Sequence, residues 1–152
     1  MKHDEPRIRT AESEDVRVIE TITHQAYSKW VQRIGREPLP MTVDYEARVS
    51  DHRFDLIEIG HEVVGLIETV PKVDYLLIEN VAVLPEFQKQ GIGRRLLDHA
   101  EQIAQQLELH ELRLYTNELF EGNVALYESL GYKVLHRVEV DRGARVDMAK
   151  TL

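Results

Sequence analysis

Cysteine is absent from the 152 residues. That excludes structural disulfides, thiolate zinc sites and a cysteine nucleophile. No window approaches the roughly 18 apolar residues that a membrane-spanning helix needs, so no membrane association is expected. The amino-terminal MKHDEPRIRT lacks the apolar core of a secretory signal, and a cytoplasmic location is the expectation. Basic residues are the minority, 19 against 27 acidic, for a formal net charge of −8. Proteins that grip nucleic acid usually present a basic face, so nucleic acid is not expected as a partner. The excess of acid either favours a cationic substrate through the field of the whole protein or only keeps the protein soluble. The seven histidines, His3, His24, His52, His61, His99, His110 and His136, never stand at the H-x-H or H-x-x-x-H spacing of a ligand pair. No metal is expected. Repeats, low-complexity tracts and linker-like runs are missing too. Residues 1–152 therefore read as one domain, long enough to bury about two-thirds of its unfolded surface.

What is present is a regular alternation of periods. Ile8 to Thr10 is extended, and Glu12, Ser13, Glu14 and Asp15 open a helix whose apolar positions Val16, Ile19, Ile22 and Ala26 recur at helical spacing. Gly35, Pro38 and Pro40 break the next region, with a short helix expected over Val43 to Val49. FDLIEI and VVGLIETV flank Gly60-His61-Glu62 and predict a β-hairpin, and Tyr75 to Val83 predicts a central strand. Ile92, Leu96, Leu97, Ala100, Ile103, Ala104 and Leu107 form a helical stripe over 91–107. LRLYT is a further strand, Asn123 to Leu130 a helix stopped by Gly131, and a hairpin around Asp141-Arg142-Gly143 closes the chain. The expected class is α+β: a mixed, mostly antiparallel, twisted sheet flanked by helices.

The most informative stretch is VAVLPEFQKQGIGRRLL, from Val81 to Leu97. An apolar strand runs into a polar loop with Gln88, Gly91 and Gly93, and then into a helix. Glycines let the backbone approach a ligand closely, and the unpaired N–H groups of a first helical turn face an anion. A P-loop needs Lys-Ser or Lys-Thr after its last glycine, where Arg94-Arg95 stands here, and a dinucleotide fingerprint needs a third glycine. Gln-x-x-Gly-x-Gly fits instead.

With this loop, and with the segment Asn123-Val-Ala-Leu-Tyr127-Glu-Ser-Leu-Gly131-Tyr132, the chain resembles the GNAT superfamily of N-acetyltransferases from Ile8 to Met148. The resemblance implies an acyl-CoA N-acyltransferase fold and acetyl-CoA as co-substrate. It implies that Val81, Ala82 and Val83 line the pantetheine arm across a splay between strands. Gln88, Lys89, Gln90, Gly91, Ile92, Gly93 and Arg94 would wrap the pyrophosphate. Asn123 would reach the pantetheine side, unless it serves as a helix N-cap. Tyr127, one turn later, would lie beside the thioester sulfur and protonate the leaving thiolate, unless it only packs its ring. A homodimer, common in the family, is also implied as possible.

An attacking amine must be neutral, yet alkylamines have a pKa near about 10, so a base is required. Glu79 is the expected base: it stands just before Asn80-Val81-Ala82-Val83, strand alternation places it on one face with Val81 and Val83, and the resemblance implies a glutamate or histidine at this point, unless it is a sheet-surface glutamate with a cationic neighbour. Direct attack needs no enzyme nucleophile, in keeping with the lack of cysteine and of a Gly-x-Ser-x-Gly elbow. By resemblance, the acceptor, a small or peptide amine, lies against the first helices and the last hairpin turn. His24, Pro38, Met41 and Asp141 to Arg145 fall there. Tyr27, Trp30 and Tyr45 would form an aromatic wall for a cation with Asp44 as its charge partner, or they pack as core. The alternative to an active enzyme is an acyl-CoA-binding sensor or interaction module.

Overall fold

Apolar runs of period two become strands and stripes of period 3.6 become helices in the computed structural model, which describes residues 5–152. His3 lies outside the described residues. The strands are β1 (Arg7–Thr10), β2 (Arg53–Ile59), β3 (Glu62–Pro71), β4 (Leu76–Val83), β5 (Glu111–Asn117), β6 (Lys133–Glu139) and β7 (Ala144–Thr151). The helices are α1 (Val16–Tyr27), α2 (Val31–Ile34), α3 (Tyr45–Asp51), α4 (Ile92–Gln106) and α5 (Asn123–Ser129). One sheet carries all these strands in the order β1-β2-β3-β4-β5-β7-β6. Every neighbouring pair is antiparallel except β4 with β5. This is the mixed, mostly antiparallel sheet flanked by helices that the sequence predicts. No helix among the described residues is long and apolar enough to cross a membrane.

Helix α1 buries Ile19, Ile22 and Ala26 on one face of the sheet, and α4 buries Leu96, Ala100 and Ile103 on the other. Each such leucine or isoleucine contributes about 1.5–3 kcal/mol of transfer free energy. The acidic run before α1 has a specific use. Asp15 takes both terminal nitrogens of Arg9 at 2.9 Å and the N–H of Glu12 at 2.8 Å, fixing the helix start to β1. The short helix expected over Val43 to Val49 begins instead at Tyr45. Asp44 accepts from the N–H groups of Glu46 and Ala47 and so sets the first turn. Helix α2 was not foreseen; it is a single turn that ends at Gly35 in the left-handed region, φ 74°.

The centre of the sheet is built to come apart. Parallel strands need a crossover, which α4 supplies, and the β4–β5 register covers only Leu76 with Leu112 and Leu77 with Arg113. Beyond these pairs the two strands splay. The N–H of Leu84 donates to Val64, so by alternation Ala82 also turns its main chain to β3, while Val81 and Val83 turn theirs into the gap.

A second irregularity sits in the same strand. Thr69 pairs with Ile78 and Glu68 with Asn80, so Glu79 is an extra residue in the ladder, a β-bulge. The alternation argument that placed Glu79 on one face with Val81 and Val83 is therefore corrected. Val83 lies opposite Gly65, whose Cβ position is 3.4 Å from Leu96 of α4. Glu79 instead extends to Arg48 of α3, on the opposite side.

Candidate active site

The gap between β4 and β5 is where chain groups go unused. Main-chain donors and acceptors away from water need partners, so a strand edge without a neighbour invites a ligand. The Val81 carbonyl accepts from Tyr27 Oη at 3.3 Å and the Val83 carbonyl from Gln88 Nε2 at 3.0 Å. Their N–H groups point into the gap with no strand opposite. Ala82, grouped with them in the sequence reading, presents nothing to the gap; its main chain pairs with Leu66 and it is 2% exposed.

From Val83 the chain passes through Pro85–Phe87, a single 3-10 turn, into the loop. Gln88 ties the loop to β4 and to the segment after α1, donating to the Val83 carbonyl and accepting from Lys29 Nζ, each at 3.0 Å. Lys89 and Gly91 both take left-handed backbone, φ 63° and 84°. A lysine there costs of order 1–2 kcal/mol, a strain that tends to persist at functional sites. Gln90 is exposed and holds Glu86 through its amide. Ile92 is buried and anchors the first turn of α4 into the core. No side chain caps that turn, and a Cβ built on Gly91 or on Gly93 meets no atom within 4 Å. An uncapped helix start with open space beside it is fit to receive an anion. Arg94, exposed, lines a cavity of about 110 Å³ with Glu101, Tyr132 and Lys150.

On the far side of the gap stand the two residues of α5. Asn123 is not the helix cap, since Gly122 holds that position at φ 85°. Its Nδ2 donates to Thr116 Oγ1 of β5 at 3.2 Å. Tyr127 packs edge-on to Tyr132, with ring centroids 5.9 Å apart. Burial pushes its hydroxyl up to about 12, and that hydroxyl has no hydrogen-bond partner among the described residues.

Glu79 is held by one oxygen. Its Oε1 accepts from Tyr115 Oη at 2.5 Å and lies 3.4 Å from Arg48 Nη2. Oε2 has no protein donor among the described residues, and the side chain is 20% exposed. Burial, and then Glu79 itself, push the Tyr115 hydroxyl up, so it stays a donor. Tyr27 is pushed up well beyond its ordinary value, by burial first and then by Tyr127, Tyr45, Tyr115 and Glu68. These groups therefore share one electrostatic neighbourhood around the splay.

The aromatic wall does not form as expected. Tyr45 is 3% exposed, donates to the Pro40 carbonyl at 2.6 Å and meets Phe54 edge-on, which makes it core. Asp44 spends its carboxylate on the α3 cap. Tyr27 donates to Asn80 Oδ1 at 2.7 Å and braces the bulged strand. Trp30 stacks on Phe120 at 5.0 Å, with Lys29 Nζ 5.0 Å from its ring. Tyr27 also touches Phe120, so the α1–α2 segment rests on the β5–α5 loop, and Arg33 adds bonds to Leu119 and Glu121. His24, Met41 and Tyr45 border a separate groove of about 390 Å³ along α1. The last hairpin turn reaches the same end of the sheet, where Arg142 receives Asn117 Nδ2 on its carbonyl and lies against Gly35. Arg48, Tyr115 and Phe120 were missed. Nothing in a single sequence pairs Arg48 with Glu79, whereas Tyr115, in a strand already assigned, could have been found by asking what stands across the gap.

Comparison with known proteins agrees with this geometry. The family model described as the acetyltransferase (GNAT) family matches residues 17–132. The [ribosomal protein bS18]-alanine N-acetyltransferase of Escherichia coli is 38% identical over 63 residues, which span 40% of this chain and 40% of that protein. Among solved structures, the PaiA N-acetyltransferase of Thermoplasma acidophilum in complex with coenzyme A superposes with a TM-score of 0.83 at 20% identity, covering 97% of this chain and 99% of that one. The ribosomal-protein-S18-alanine N-acetyltransferase of Escherichia coli gives 0.81 at 21% identity, covering 97% and 94%. With a splayed parallel pair, a glycine loop opening onto a bare helix start, and a family match over most of its length, the chain belongs to the GNAT family of acetyltransferases.

Proposed function

We propose that this acyltransferase moves the acetyl group of acetyl-CoA to a primary amine by direct attack within a ternary complex. One observation carries the reading. Open main-chain donors on β4, at Val81 and Val83, lead without interruption to the uncapped start of α4 and the empty space beside Gly91 and Gly93. That track fits an extended amide-bearing arm followed by a diphosphate.

Bound there, the thioester supplies an activated acyl carbon: the C–N bond forms, the carbonyl oxygen takes up charge, and the C–S bond breaks. The Val81 N–H donates to the oxygen that gains charge. Glu79 takes the ammonium proton on Oε2, the oxygen left free by Tyr115 and Arg48. Tyr127, neutral across the working range, donates to the departing sulfur. The N–H groups from Gln88 to Arg94 hold the diphosphate, with Asn123 on the pantetheine side. The acceptor enters between the α1–α2 segment, with Tyr27 and Trp30, and the Asp141–Arg145 turn. Peptide α-amines head the acceptor classes, supported by the partial likeness to an enzyme that acetylates an alanine of a ribosomal protein.

Thiol release from acetyl-CoA with a panel of amines tests this reading. The panel holds an alanine-initiated peptide, an internal-lysine peptide with a blocked amino terminus, and small alkylamines. Turnover is expected, fastest with the free α-amine. Tight acetyl-CoA binding with no turnover of any amine overturns the assignment in favour of a binding module. In the same assay Tyr127→Phe is expected to lower kcat by about 100-fold, the low end for a general acid because a thiolate leaves readily. The KM for acetyl-CoA should stay within a few-fold, and loss in KM alone would make Tyr127 a packing residue.

A further inference from the structure

Glu68 is a carboxylate with no place in the mechanism above, and it is 0% exposed in the middle of β3. Carboxylates are almost never buried so fully unless paired. Its partners come from α3 and the residue after it. Arg48 Nε donates to Glu68 Oε2 at 2.6 Å, and His52 Nδ1 stands 2.5 Å from the same oxygen. Arg48 does not end there. Its Nη2 extends past Glu68 to Glu79 Oε1 at 3.4 Å, and Tyr115 Oη grips that same oxygen from β5.

We infer that Arg48 is a positioning residue, set on buried Glu68 so that it and Tyr115 hold Glu79 by Oε1 and leave Oε2 free for the acceptor's proton. The inference rests on the assignment of Glu79 as base. Several features carry it. The bulge gives Glu79 no ladder partner of its own, so its direction must be set by side chains. The two side chains that set it come from opposite sides of the splay and converge on one oxygen. A guanidinium can hold two carboxylates at once through its planar fork, which an ammonium cannot do with the same geometry. The fully buried end of the chain, Glu68, ensures that Arg48 itself is not free to swing. The charged and titratable groups that face this cluster are Tyr45, Arg48 and His52 from α3 and its end, Tyr27 from α1, Glu68 from β3, Glu79 from β4 and Tyr115 from β5, with Tyr127 of α5 facing Tyr27 and Arg145 of β7 facing Tyr115.

Two measurements on the full chain test the inference. Carboxyl-carbon NMR of glutamate-labelled protein, with the Glu79 resonance identified by its loss in Glu79→Gln, reports how that carboxylate is held and needs no acceptor. Arg48→Gln removes one of the two groups on Oε1 and is expected to displace the Glu79 resonance. Because Arg48→Gln leaves Glu68 without its main partner, Arg48→Gln/Glu68→Gln, which keeps the buried pair neutral, serves as the folded control and should displace the resonance too. A Glu79 resonance unmoved in both variants overturns the inference. The second measurement is a kinetic cycle with acetyl-CoA and the alanine-initiated peptide. Arg48→Gln/Glu68→Gln and Tyr115→Phe are each expected to lower kcat about 10-fold or more, with the KM for acetyl-CoA unchanged, and to have little effect when Glu79 is already Gln. If they cost as much in the Glu79→Gln background, they act elsewhere and the positioning role fails. If Glu79→Gln alone leaves kcat intact, it is the base assignment that falls.

Discussion

Glu79→Gln is expected to lower kcat/KM by about 100-fold or more near neutral pH, some 2.7 kcal/mol of transition-state stabilisation. The exchange is close to isosteric. Its amide oxygen can still accept from Tyr115, so the fold around the bulge should persist and the melting temperature stay within a few degrees. What disappears is the basic oxygen, Oε2, that Tyr115 and Arg48 leave free on Glu79. The deficit should shrink with rising pH. Below its pKa of about 10, an alkylamine gains tenfold in neutral form for each unit by which pH rises, so the need for a base fades as pH climbs. Initial rates of thiol release from pH 6.5 to pH 9.5 (an assay range of about three units) separate the two effects. A loss confined to a few-fold at the low end of the range would remove Glu79 from the chemistry.

Gly93→Val is expected to leave the protein folded and to weaken acetyl-CoA binding by at least about 10-fold. Gly93 lies in the first turn of α4 without a left-handed backbone, and a Cβ there meets no atom within 4 Å. The chain alone therefore has room for the larger side chain, and losing a helical glycine removes its entropic cost. The space that the valine fills is the space proposed for the diphosphate. Losing one charge-assisted N–H contact costs about 1.5–3 kcal/mol, so affinity should drop at least about 10-fold and more if several contacts are displaced. Calorimetric titration with acetyl-CoA against a thermal melt reads the two quantities apart. Gly91 is the less clean position, because its φ of 84° would add backbone strain to any side chain placed there. Wild-type affinity in Gly93→Val would move the anion site away from this helix.

Much of the fold was legible because periodicity is a property of one segment at a time. The stripe from Ile92 to Ala104 and the run from Leu76 to Val83 read directly as helix and strand. Register was not legible, because it belongs to pairs of strands. The splay after Leu77 and Arg113 and the extra residue at position 79 leave no mark on either strand read alone. The alternation argument failed for that reason, and of the grounds for Glu79 it leaves the residue's place just before Asn80-Val81-Ala82-Val83 and the resemblance. Asp44 and Tyr45 misled differently. Asp44-Tyr45-Glu46-Ala47 is a good helix start, and the local demand for a cap and for an apolar ring against Phe54 outranked any role at the acceptor. Trp30 found its partner in Phe120, a loop residue with no periodic context. The unpaired N–H groups expected in the first turn of α4 match a helix start with no side-chain cap, whereas the left-handed backbone at Lys89 shows that not every need of the loop is written in a glycine.

The bulge in β4 has one more consequence. Ile78 pairs with Thr69 and Asn80 with Glu68, so removing residue 79 would let the strand run on with every other side chain on the face it now occupies. Such a chain would have a more regular sheet and no carboxylate at the gap. Glu79 is thus the one residue of its strand that the architecture does not count. With Glu79 as the proposed base, its place outside the best-paired ladder would be a local trade of stability for reactivity.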